Sequence, residues 1–199
     1  MTNLDMTKTS QRYYKAGPRP ELVTIPAGRF LTIEGKGTPE APVFGKAIAA
    51  LFAIAYSIRA IHKQQGQVFT VPKLEGQWWL NVNKPFKDVS RDEWFWKLLV
   101  QMPAFVTAGD HRQAIALAVQ KKEIPLLADV KFETMEDGLS VQMLHTGPYT
   151  EEEETLQKLR DYMEQHHLVQ NGLHHEVYIS DPRRTAPEKL RTILRLPVK

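Results

Sequence analysis

Apolar residues recur at helical spacing over one long stretch: Phe44, Ala47, Ile48, Leu51, Ala55 and Ile58 define a helix reaching about His62. Phe52, Ile54 and Tyr56 fall outside that stripe. A helix apolar nearly all round is either buried or lines a cavity with a second face. Ahead of it, residues 21–25 and 29–34 read as strands around Pro26-Ala27-Gly28, and Gly35 to Pro39 breaks the second. Residues 68–80 supply one or two further strands. Ser90-Arg91-Asp92-Glu93 is a capping-box sequence that predicts a short helix carrying Trp94, Phe95, Leu98 and Leu99. Thr107 to Asp110 caps an alanine-rich helix running to about Lys122. Strands near 129–134 and 139–145 flank Asp137-Gly138. Thr150 and Glu153 form another capping box, with the consecutive glutamates Glu151, Glu152, Glu153 and Glu154 at the positive end of the helix dipole. Leu156, Leu159 and Met163 are its inner face, and Asn171-Gly172 ends it. Residues 174–180 alternate as a strand, 181–188 form a turn with a short helical piece, and 190–198 close the chain as a strand.

The order strand, Gly/Pro turn, helix, strand occurs twice. Residues 30–39 lead into the long helix and the strand with Trp78-Trp79; residues 141–148 lead into the second helix and the strand with Glu176. Two such units side by side predict an α+β fold: an antiparallel sheet with helices on one face and a central ligand cleft at a pseudo-twofold seam.

Bulk properties narrow the class. With 199 residues, 42% apolar and 25% charged, the chain is an ordinary globular one. No stretch has signal-peptide character, and Lys46, Ser57 and Arg59 interrupt the most apolar one, so no membrane span is expected. Cysteine is absent, which excludes disulfides, thiolate catalysis and thiolate metal sites. A cytoplasmic protein is the expectation. The pI is about 9.0, yet the basicity is local. Lys8, Arg12, Lys15 and Arg19 face one acid, Asp5, in residues 1–20, and the remaining 22 basic and 22 acidic residues balance. A basic N-terminal arm of about twenty residues followed by one domain is expected, with no nucleic-acid partner, since that affinity comes mainly from phosphate neutralisation.

Three segments carry a resemblance: Leu74-Glu-Gly-Gln-Trp-Trp79, His145-Thr-Gly-Pro-Tyr149, and His174-His-Glu-Val-Tyr-Ile-Ser-Asp-Pro-Arg-Arg184 with the closing strand to Val198. Together they resemble the GyrI-like small-molecule-binding family, also found as the effector domain of multidrug-sensing transcription activators. The likeness covers the chain from Glu21 onward, with no winged-helix segment ahead of it. The doubled tryptophan and the His-His-Glu strand resemble the cyclopropanoid hydrolases, which open the strained ring of DNA-alkylating compounds. The resemblance implies two strand–helix–strand–strand modules, about 21–125 and 126–199, and a glutamate in the central cleft.

That glutamate is Glu176. On a strand, His174, Glu176, Tyr178 and Ser180 share one face, and Val177 and Ile179 the other. The apolar pair is expected to pack under the helices, so Glu176 and Tyr178 face away from them. A carboxylate desolvated in an apolar cleft has a raised pKa and suits a general base. Trp78 and Trp79 point to opposite faces; one anchors the core and the other stacks on a flat ligand. Tyr56, one turn after Phe52, is either a core tyrosine or a cleft hydroxyl that orients water. Tyr149 reads as a structural plug after its Gly-Pro turn, and Arg183-Arg184 as part of a turn beside Asp181. The histidine pairs lack metal-ligand spacing, and no nucleophile elbow or phosphate loop occurs.

Catalytic candidates are thus Glu176 and Tyr56, and ligand-binding candidates Trp78, Trp79, Tyr178 and Phe52, with no metal or organic cofactor. The partner expected is an aromatic or cationic small molecule, either hydrolysed at a cyclopropane or held unchanged. No surface in the sequence marks a protein partner such as a topoisomerase.

Overall fold

The computed structural model describes residues 3–121 and 124–199. In chain order the elements are β1 (Asn3–Leu4), α1 (Met6–Thr9), α2 (Gln11–Tyr14), β2 (Glu21–Ile25), β3 (Gly28–Lys36), α3 (Pro42–Gln64), β4 (Val68–Phe69), β5 (Leu74–Trp79), β6 (Phe95–Met102), α4 (Ala108–Lys121), β7 (Lys131–Met135), β8 (Gly138–Thr146), α5 (Glu152–Gln165), β9 (His174–Tyr178) and β10 (Arg191–Pro197). The fold is α+β; β1 and β4 pair in parallel, and the strands within each larger sheet described below pair antiparallel. It divides into two units, one comprising the chain to Thr9 with Gly28–Met135, the other Ser10–Ala27 with Glu136–Lys199.

In the first unit the sheet runs β5-β6-β3-β7. The register sets Leu31 opposite Val100 and Trp78 opposite Trp96, so these residues share the face covered by α3. Pro42 opens α3, where its missing N–H is no loss. By length and composition alone α3 could cross a bilayer, but its apolar surface is packed on β3, β6 and α4, burying residues from Phe44 to His62. His62 ties α3 to α4: its Nε2 lies 3.3 Å from Asp110 and its Nδ1 3.0 Å from Gln67. The expected Thr107–Asp110 cap forms, the Asp110 N–H donating to Thr107 Oγ1 and the Thr107 N–H to Asp110 Oδ2. The expected end of this helix, about Lys122, lies outside the described residues.

Gly35 faces Trp96 across the β3–β6 pair, and a Cβ there would sit 2.2 Å from the indole. Gly35→Ala is therefore expected to displace a fully buried ring at a cost of about 1–3 kcal/mol, read as a lower thermal midpoint. An unchanged midpoint would show that the indole can move freely.

The helix expected after Ser90 is a strand. Only Arg91–Glu93 makes a 3-10 turn, and β6 begins at Phe95. This strand lies between β5 and β3 with Leu98, Leu99 and Val100 all buried. Cover on both faces removes the alternation that marks a half-exposed strand.

In the second unit the sheet runs β2-β8-β10-β9. Val141, Met143, Leu194 and Leu196 meet Leu159 and Met163 of α5 on one face. The opposite face carries Gln142, His175 and Arg195 and is covered by α2, whose Tyr13 and Tyr14 are buried. Within the segment expected as an N-terminal arm, two described stretches are packed on the folded body. Asn3–Leu4 pairs with Val68–Phe69 in the first unit, and α2 packs in the second.

The expected repetition is present in strand order. The series β3-α3-β5-β6 and β8-α5-β9-β10 each place the last strand between the other two. The turn after the first strand holds a positive-φ glycine in both, Gly37 at 111° and Gly147 at 138°, which favours a residue without Cβ. Flanking strands are exchanged: β2 precedes the first series but pairs with β8, and β7 precedes the second but pairs with β3. The unit boundaries accordingly fall at Gly28 and Glu136.

Candidate functional site

His174, Glu176 and Tyr178 share a face of β9, as parity requires, but it is the face expected for the apolar residues. Glu176 stands opposite Leu194, which stands opposite Met143, so all three lie on the α5 side. The reason is that both faces of this sheet are covered. Val177 is fully buried without lying under α5, and Glu176 is left beneath the start of that helix.

The start of α5 also departs from expectation. Thr150 does not cap it; a 3-10 turn, Tyr149–Glu151, precedes it, and Glu151 at the N-cap makes no side-chain capping bond. His145 holds this turn instead. Its Nε2 donates to the Pro148 carbonyl at 3.2 Å, so in the neutral ring Nδ1 accepts from the Thr155 hydroxyl at 3.0 Å. Of the four glutamates, Glu151, Glu153 and Glu154 are exposed and Glu152 is turned inward, 8% exposed.

Glu152 and Glu176 are electrostatic neighbours. Burial first, and the charge of Glu176 second, push the Glu152 carboxyl well above the ordinary glutamate range. The His174 Nε2–H donates to Glu176 Oε1 at 2.9 Å. Tyr149 meets Tyr178 edge-on at 5.8 Å, and its hydroxyl is pushed up to about 12 by burial and then by Glu152, Glu176 and Asp181. Glu152 Oε1, His174 Nδ1 and Thr192 Oγ1 are buried and have no hydrogen-bond partner among the described residues. Thr192 stands opposite both Tyr178 and His145, placing it on the same face. Buried polar atoms normally find partners, so several unsatisfied in one region make it the candidate site.

The remaining candidates stand in the first unit. Trp78 is buried, its ring stacked on Phe44 at 5.8 Å with Trp94 edge-on at 6.1 Å. Trp79 takes the opposite face and stacks on Phe95 at 5.7 Å. Tyr56 is 57% exposed on α3, with the half-buried Phe52 ring 6.3 Å away. Arg183 and Arg184 are exposed and bind Asp181 of their own turn. Sequence reasoning missed Glu152, His174 and Thr192. For Glu152 a signal existed: the stripe Met163, Leu159, Leu156, extended one turn towards the N-terminus, lands on it.

A model of the GyrI-like small-molecule-binding domain matches residues 18–199. The chain belongs to the GyrI-like family. Among solved structures, this GyrI-like protein is similar to an uncharacterised conserved protein from Listeria innocua, at 36% identity and a TM-score of 0.93, covering 99% of this chain and 100% of that one. It is also similar to a hydrolase from Listeria innocua at 35% identity and a TM-score of 0.91, covering both chains fully. The C-terminal domain of EcmrR shares the fold at 11% identity, with a TM-score of 0.60 over 91% of this chain and 97% of that domain. No curated protein matches the chain.

Proposed function

We propose that this GyrI-like protein is a cofactor-independent hydrolase that opens the cyclopropane of DNA-alkylating cyclopropanoid compounds by adding water, a protective role exercised in the cytoplasm. The observation that carries the reading is the Glu176 carboxylate, buried and fixed by His174 beside a second buried carboxyl. The similar Listeria hydrolase supports a hydrolytic class of reaction. Relief of ring strain supplies much of the driving force, so the protein's task is to position a water and take its proton. Glu176 takes that proton. Tyr178, on the same face of β9 as Glu176, offers aromatic contact to a planar ligand. Incubating the purified protein with a cyclopropanoid substrate and following the ring-opened alcohol by mass spectrometry tests the reading. No alcohol above the Glu176→Gln background would remove it.

A second reading has its own observation in favour. Neither Glu152 nor Glu176 forms an ion pair with a lysine or arginine among the described residues, and such a carboxyl pair attracts a cationic aromatic molecule. Tight binding of such a compound, recovered chemically unchanged, would select a binding module over an enzyme.

A further inference from the structure

Glu152 has no place in the mechanism so far, and folding alone does not explain its position. An isolated carboxyl at the first turn of a 14-residue helix is stabilised as an anion when exposed, and Glu151, Glu153 and Glu154 are so placed. Glu152 is instead more than nine-tenths buried, with Oε1 left without a partner among the described residues. An inward carboxyl without a hydrogen-bond partner destabilises a fold. An apolar residue there would continue the Leu159–Met163 stripe at no such cost.

The groups around it come from every side of the site. They are Glu176, His174 and Tyr178 on β9, Tyr149 on the turn before α5, His145 on β8 reached through Thr155, and Asp181 after β9. The charge that acts on it is that of Glu176, of like sign. Two neighbouring carboxyls in a buried setting take opposite protonation states, one supplying a proton and one accepting it.

We propose that Glu152 is the general acid of the site, acting on the substrate's carbonyl oxygen while Glu176 acts on water. This rests on the hydrolase reading above. In the step, the water oxygen bonds to the cyclopropane methylene and the strained carbon–carbon bond breaks. Its electron pair passes through the conjugated dienone to the carbonyl oxygen. That oxygen takes the proton of Glu152 and becomes a phenol, while Glu176 takes a proton from the attacking water. The sum is addition of one water, and proton transfer from Glu176 back to Glu152 restores the starting state.

The test is Glu152→Gln, which keeps shape and burial but has no proton to give. With a cyclopropanoid substrate, turnover is expected to fall by about 100-fold or more, with binding nearly unchanged. The wild-type rate is expected to fall as pH rises through the Glu152 ionisation, and this alkaline limb should vanish in the variant. Glu152→Asp, which retains an acid on a shorter arm, is expected to keep the limb at a reduced rate. Infrared spectra of the wild type should show a protonated carboxyl band at neutral pH that Glu152→Gln lacks; its absence from the wild type overturns the proposal. Wild-type turnover matched by Glu152→Gln overturns the acid role alone. A wild type that binds but opens no ring overturns the hydrolase reading and the acid role together.

Discussion

Replacing Asp137 by alanine is expected to destabilise the second unit more than any other single surface-reaching change. Arg195 of β10 is fully buried. Its Nη1 meets Asp137 at 3.3 Å, its Nε and Nη2 donate to Gln142 Oε1 at 3.2 and 3.0 Å, and Nη2 also donates to the Tyr13 carbonyl at 2.8 Å. The guanidinium lies over the Tyr13 ring at 4.6 Å. Gln142 in turn donates to the Lys15 carbonyl and to Glu21. The cluster thus fastens the N-terminal segment to the sheet, and Asp137 supplies its countercharge, with His175 Nδ1 2.7 Å away. Deleting one partner of a buried pair leaves an uncompensated charge, a loss of about 3–5 kcal/mol. For a chain of this size that lowers the thermal midpoint by roughly 6–20 °C. Asp137→Ala combined with Arg195→Met should recover much of the loss, because an apolar pair of similar volume avoids the desolvation of both charges.

The same cluster carries a pH dependence of definite sign. Burial pushes the Asp137 carboxyl up, but His175 and then Arg195 outweigh it and hold the group below the ordinary aspartate range. Its stabilising contribution is therefore fully present above the unfolded-state value and is lost as pH falls through the lower folded-state value. Thermal midpoints measured down the acid side should fall in the wild type, and less steeply in Asp137→Ala.

Most strand and helix positions could be read from periodicity because one face of each element is apolar. The errors have physical causes that a linear pattern does not display. β6 is covered on both faces, so a capping-box sequence in front of a continuous apolar run imitates a helix start. Strand parity alone gives the wrong face for Glu176, because it presumes cover on one side of the sheet only, whereas the buried tyrosines of α2 shield the other. Arg195 sits where strand parity calls for an apolar side chain, and nothing local to it reveals that Asp137, Gln142 and Tyr13 converge there from far along the chain. Glu152 was legible in the helical stripe, but its membership of a run of four glutamates made an electrostatic role at the helix end the simpler account.

Glu176→Gln is expected to cause the largest loss of activity, about 10²- to 10⁴-fold in kcat, with the fold retained. The amide keeps the volume of the carboxyl, and its oxygen can still accept the His174 Nε2–H that fixes Glu176 Oε1 at 2.9 Å. Geometry is thereby preserved, and the deficit measures the lost base. A neutral cyclopropanoid should bind nearly as before, whereas a cationic aromatic compound should bind more weakly, since it loses the countercharge. The substitution also acts on Glu152. Its carboxyl is raised by burial and by the charge of Glu176, so removing that charge leaves burial alone and lets the proton go at lower pH. The alkaline limb of the residual activity should then move towards acid relative to wild type. A limb that stays in place would mean that the two carboxyls do not interact, and a rate within a few-fold of wild type would remove Glu176 as the base.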